Sequence, residues 1–349
     1  MKRFFLRCVI LLANFSASSS VWASDMLRVF AWPGYADADW VSEFEKRYDA
    51  HIEVTFVDTD EDLWDKVKKN NGENFDVLAA NTAELKRYYE QKWLAIINRK
   101  NIPNSKNQLK RFKNKINDIS SGENSYAIPF VYSEMGLIYD KKQIDNPPVS
   151  MAEMWNKKYK GKVVLYDGSN HNFSLTALVL GFKDPFNFSK DEMAKNVNKL
   201  LELRDQLPLY YNSPEEGTAA FIKNKAALMF ANYGKQQLKL LHAAGADVGY
   251  IIPKEGALAW LDCWAISAKT RNKALAEKWI NFMLEKSVSS ELTQRQGLSN
   301  TLAHSSLNAK DKIIWIKSSE NFALRTQYWE RIRAGNARNG NNRPKKPSL

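Results

Sequence analysis

Cysteine and histidine are scarce in this chain, and their scarcity excludes several kinds of chemistry. Cys8 and Cys263 are the only cysteines among the 349 residues. Cys8 lies in a leader-like segment, so the mature chain keeps one thiol and forms no internal disulfide. Cys263 stands in an apolar run and reads as a small buried residue rather than a nucleophile. The four histidines, His51, His171, His242 and His304, are widely spaced. With no HExxH and no paired Cys/His spacing, no metal centre is expected. There is no G-x-S-x-G, no P-loop and no G-x-G-x-x-G, so neither a hydrolase nor a cofactor-dependent dehydrogenase is supported. No enzyme and no cofactor are expected. Beyond the leader, no run approaches about 18 uninterrupted apolar residues, so no membrane span is predicted.

What is present begins with that leader. Lys2 and Arg3 precede an apolar core at 4–15, then a small-residue stretch ending Val21-Trp22-Ala23. This is the pattern of a secretory signal peptide over 1–23, with the mature chain starting at Ser24 and bound for the periplasm. The formal charge is +12. Lys2, Arg3 and Arg7 leave with the leader, and Arg338, Arg343, Lys345 and Lys346 sit in a polar tail at 336–349, which leaves +5 on the body. That tail has too little apolar content to fold and is predicted to be disordered. No nucleic-acid-binding motif accompanies the charge, and no nucleic-acid partner is expected.

The length suits roughly two domains. An apolar strand at 27–31 breaks at Pro33-Gly34, and Trp40, Phe44 and Tyr48 follow at helical spacing. Strand and helix then alternate through 93, with a Leu63/Val67 face on the second helix. That order predicts an α/β fold with parallel sheets flanked by helices. Two strands are expected over 126–140 with Pro129 at a bend, and alternation resumes to 305. The run "ALAWLDCWAIS" at 257–267 sets one carboxylate, Asp262, between Trp260 and Trp264. An unpaired buried carboxylate costs several kcal/mol. Asp262 therefore needs an internal partner or a cationic ligand. On an extended segment, Trp260 and Asp262 point to the same side.

Five stretches, in this order, resemble the periplasmic substrate-binding proteins of polyamine ABC importers: "VFAWPGYAD", "FDVLAANTAELKRYYEQKWL", "YAIPFVYSEMGLIYD", "IPKEGALAWLDCWAIS" and "LRTQYWERIRAG". The resemblance implies a two-lobe type II periplasmic binding-protein fold with the ligand in an interlobe cleft. It places lobe one at 24–130 plus 264–305 and lobe two at 131–263 plus 306–335. It implies a small-molecule amine, putrescine- or spermidine-like, held by aromatic walls and carboxylates. It also implies an inner-membrane ABC permease as partner, and a monomer is expected. Trp32 and Tyr35 fall on the family's first aromatic turn, and Trp260 and Asp262 on its aromatic and carboxylate positions. Asn81, His171, Asn232, Tyr233 and Lys235 fall on other ligand-contact positions.

Several of these positions depart from the family. Where relatives place acids after the strand matching "VVLYD", this chain has Gly168 and His171. Where relatives carry a tryptophan, and in some a later Asp, it has Asn232 and Lys235. Other acids, such as Asp37, Glu134 and Asp167, are able to compensate from new places. The alternatives are a different amine, a zwitterion with its carboxylate near Lys235, or a sensor in place of an importer component.

Overall fold

The computed structural model describes residues 25–121, 124–206, 209–304, 310–319 and 321–335. The expected signal peptide at 1–23 and basic tail at 336–349 lie outside the described residues. The N-terminal part alternates as its periodicity predicts: β1 (Asp25–Ala31), α1 (Ala38–Tyr48), β2 (Ala50–Phe56), α2 (Asp60–Lys69), β3 (Val77–Asn81) and α3 (Thr82–Glu90). β1 pairs in parallel with β2 and β3. Trp40 and Phe44 on α1, and Leu63 and Val67 on α2, are the buried faces. Each crossover helix thus lays one apolar stripe on the sheet. Helix starts are set locally: Thr59 caps α2, and the Asn81 side chain accepts from the Ala83 and Glu84 amides of α3.

Short 3-10 turns cover much of 99–119, and a small hairpin of β4 (Ser120–Ser121) and β5 (Asn124–Ser125) leads to β6 (Ala127–Met135). A second set of elements follows: β7 (Leu137–Asp140), β8 (Val163–Tyr166), α4 (Ser169–Val179), α5 (Lys190–Arg204), β9 (Tyr210–Tyr211), α6 (Pro214–Lys223), β10 (Leu228–Phe230), α7 (Lys235–Ala243) and β11 (Val248–Ile251). Its five strands form one sheet in the order β11-β7-β10-β8-β9. Residues 151–155 and 157–159 form two 3-10 turns, the second capped by the Asn156 side chain, which accepts from the Lys158 amide.

The chain then returns as β12 (Ala257–Ile266), α8 (Lys273–Met283), α9 (Lys286–Gln296), β13 (Ser299–Asn300), β14 (Ile313–Trp315) and α10 (Phe322–Arg333). β12 lies inside a seven-stranded sheet ordered β13-β6-β12-β3-β1-β2, with β14 also on β12. All ten of its residues are buried. Trp260 and Trp264 join one core cluster, while Leu261, Cys263 and Ala265 join the other, so the period of two separates its faces. We call the seven-stranded layer with its helices lobe one and the five-stranded layer lobe two. α10 packs on α4 and α5 of lobe two.

Pro129 does not end the strand. β6 runs through it to Met135, and the register with β12 slips between Asp262 and Cys263. Phe130 is the extra residue of a bulge, a place where a proline without an N–H is tolerated. The break comes at Gly136, where a Cβ would lie 2.5 Å from the Ile251 carbonyl oxygen. The Tyr250 hydroxyl pins this crossover, accepting from the Gly136 amide at 3.1 Å and donating to the Glu134 carbonyl at 2.7 Å. Residues 131–135, 257–263 and 313–315, assigned to lobe two from sequence, accordingly lie in the first sheet. Continuous antiparallel pairing of β6 with β12 keeps those strands whole.

One buried carboxylate ties lobe one together. Asp76 accepts from the Arg28 amide (2.8 Å), Nε (3.0 Å) and Nη2 (3.0 Å), and from the Thr270 hydroxyl (2.7 Å). Arg28, by bonding and charge, holds its carboxyl below the usual range against the opposing effect of burial. Asp76→Ala is expected to lower stability by about 1–3 kcal/mol. A urea midpoint that does not move would refute it.

Candidate functional site

In a parallel layer the carboxyl ends of the strands share one edge, and ligands gather there. Both lobes turn that edge toward a cavity of about 190 Å³. From lobe one come Trp32 and Tyr35 after β1, Asp58 and Asp60 after β2, Asn81 ending β3, and Trp260 and Asp262 on β12. From lobe two come Tyr166 ending β8, His171 on α4, Ser213 and Glu215 after β9, and Asn232 and Tyr233 after β10. The cavity is below the roughly 300–1,000 Å³ of drug-sized pockets, which suits a small ligand.

Asp262 has a neutral internal partner. The Tyr35 hydroxyl donates to its Oδ2 at 2.7 Å. Burial pushes the Asp262 carboxyl up to about 8; the Tyr35 bond pulls it back and the charge of Asp60 adds to the rise. Beside it, Trp260 Nε1 donates to the Asn232 carbonyl at 3.0 Å, which joins the lobes. No ion pair to Asp262 occurs among the described residues.

Charge on the lining is acidic. Asp37, Asp58, Asp60, Glu215 and Asp262 face the cavity, and among the described residues no lysine or arginine does. Asp37 is balanced by Arg295 at 3.0 Å. Asp60 receives Asn81 Nδ2 on both oxygens, at 3.0 and 3.1 Å. Its carboxyl rises to about 6 through burial, eased by the Asn81 bond and the more distant Arg87. Tyr166 meets Tyr233 edge-on at 5.8 Å and stacks on His171 at 5.6 Å. Burial lowers the His171 pKa, which favours the neutral ring. Asn232 bonds to the His171 side chain and opposes that effect, while Trp32 Nε1 is buried without a protein partner.

Of the nine residues expected from sequence, eight line this cavity: Trp32, Tyr35, Asn81, His171, Asn232, Tyr233, Trp260 and Asp262. Lys235 does not. It opens α7 directly after Gly234, whose φ of +55° redirects the chain, and its charge acts on Glu134 instead. Of the compensating acids, Asp167 is held by Trp329 Nε1 at 2.8 Å and by Arg333, both on α10. Glu134 is buried outside the cavity. Asp58, Asp60 and Glu215 escaped the sequence reading. The signal was the acidic run 58–62 at the carboxyl end of β2, which the periodicity presents only as a helix start.

Residues 39–323 match the family model of the bacterial extracellular solute-binding protein. The chain is 24% identical over 281 residues to the spermidine/putrescine-binding periplasmic protein 1 of Haemophilus influenzae, covering 80% of this chain and 76% of that one. It is 23% identical over 339 residues to the spermidine/putrescine-binding periplasmic protein of Escherichia coli, covering 89% and 92%. The fold resembles that of the TpPotD lipoprotein of Treponema pallidum with a TM-score of 0.76 at 16% identity, over 89% of this chain and 100% of that one.

Proposed function

This chain belongs to the bacterial extracellular solute-binding proteins, and on that premise we propose that it captures a small polyamine in the periplasm and delivers it to an ABC permease. One observation carries the reading: five carboxylates and five aromatic side chains line the cavity, and among the described residues no lysine or arginine does. A flexible polycation needs negative charge at its ammonium groups and apolar walls for its methylenes, with cation–π attraction from Trp and Tyr. The names of the two relatives support putrescine or spermidine as the kind of ligand. A zwitterion would need a cationic group for its carboxylate, and Lys235 is not among the lining residues. Binding and release need no catalysis, only contacts that favour the closed lobes.

The test is calorimetric titration of residues 24–349, unfolded and refolded beforehand to strip carried-over ligand. Putrescine and spermidine are expected to bind with micromolar or tighter affinity, and glutamate to give no heat. If neither amine binds, the reading fails.

A further inference from the structure

The family resemblance places its second set of ligand acids in lobe two, where this chain has Gly168 and His171. A diamine still needs an anion for its far end, and lobe one offers one. Asn81 is the cross-strand neighbour of Asp262, one strand spacing of about 5 Å away. Its side-chain oxygen is committed to capping α3, with bonds to the Ala83 and Glu84 amides at 3.0 and 3.1 Å. That fixes the amide, and its Nδ2 can only turn outward, where it grips Asp60. Asp60 and Asp262 thus flank one locked side chain on the same wall of the same cavity.

Asp60 forms no ion pair among the described residues, and the nearest cation it feels, Arg87, is bound to Glu84 at 2.6 Å. Its charge acts on Asp262, Glu84, Tyr166 and Tyr233 alike. Across the cavity, Asn232 is buried and its side chain interacts with His171.

Resting on the polyamine reading, we infer that Asp60, presented by Asn81, is the second ammonium anchor of the cleft. The far amine of a short diamine sits on Asp60 while the near amine meets Asp262. Lobe one supplies both anchors, and lobe two covers the methylenes with Tyr166 and Tyr233.

The experiment compares putrescine with n-butylamine, which has the same carbon chain and one ammonium, against the wild-type protein, Asp60→Asn and Asp60→Glu. Wild type is expected to bind putrescine at least tenfold more tightly than butylamine. Asp60→Asn is expected to erase that preference while moving butylamine less than twofold. Asp60→Glu is expected to recover part of it, which a merely structural role would not do. Melting curves establish that each variant folds. Equal putrescine affinity in wild type and Asp60→Asn overturns the inference and leaves the polyamine reading standing. So does an equal loss for both amines. If wild type binds neither putrescine nor n-butylamine, the inference falls, and the polyamine reading falls with it only if spermidine also fails to bind.

Discussion

Asp262→Ala is expected to weaken putrescine binding by roughly 30-fold to several-thousand-fold. The range corresponds to about 2–5 kcal/mol, the usual effect of removing one partner from a buried, hydrogen-bonded charge pair. The upper part is favoured here for three reasons. Asp262 is 5% exposed, so little water replaces the lost carboxylate. The Tyr35 hydroxyl, now without its acceptor, presents a donor to an ammonium that also donates. Trp260 and Tyr35 still line the cavity in this variant, so the loss reports charge rather than area. Asp262→Asn removes the charge at constant shape and is expected to give most of the same loss. Equal affinity in wild type and Asp262→Asn, measured by calorimetry, would remove Asp262 from the site.

The second large effect is on pH. In the unfolded chain an aspartate titrates near 4. In the folded, ligand-free protein Asp262 is pushed up to about 8. The folded state therefore holds a proton that the unfolded state has released. This group's contribution to stability is present below pH 4 and is lost as pH rises toward 8, at up to about 1.4 kcal/mol per pH unit. Glu84, raised to about 8, and Asp60, raised to about 6, act in the same direction. Asp39 and Asp76, held low by arginines, act oppositely near pH 4.

The difference between wild type and Asp262→Asn isolates the effect. Between pH 5 and 8 the wild-type melting temperature is expected to fall relative to the variant. A cationic ligand stabilises the ionised form, so putrescine should raise the wild-type melting temperature more at pH 8 than at pH 5. It should also release protons, visible as a binding enthalpy that changes between phosphate and Tris buffers. Parallel melting curves for the two proteins would mean that Asp262 is already ionised in the empty cleft.

The fold was legible because its signals are local and repeated. Apolar stripes at helical spacing on α1 and α2, short apolar strands between them and side-chain caps at Thr59 and Asn81 all specify the same alternation. The strand break at Gly136 and the bulge beside Pro129 were not legible, because both depend on partner strands that a single segment does not reveal. Where the strands change lobe was equally hidden, since β6 and β12 fix each other's length only once paired. In the site, the aromatic residues and Asp262 were legible through resemblance. Lys235 was not, because Gly234 turns the chain just before it and side-chain direction after such a turn has no sequence period. Asp60 was visible but ambiguous: an acid in the first turn of a helix is ordinary dipole compensation until Asn81 is seen holding it over the cavity.

The division of labour between the lobes also has a kinetic meaning. Four of the five lining carboxylates, Asp37, Asp58, Asp60 and Asp262, belong to lobe one, with Glu215 on lobe two, while Tyr166, His171, Asn232 and Tyr233 belong to lobe two. Long-range attraction of a cation is then mainly a property of lobe one, and lobe two adds much of the enclosure. Removing lobe-one acids should slow arrival and flatten its dependence on ionic strength. Trimming Tyr166 or Tyr233 should leave arrival alone and shorten residence. A permease that parts the lobes would first lift Tyr166 and Tyr233 away, leaving the amine on an open acidic face from which water and salt release it.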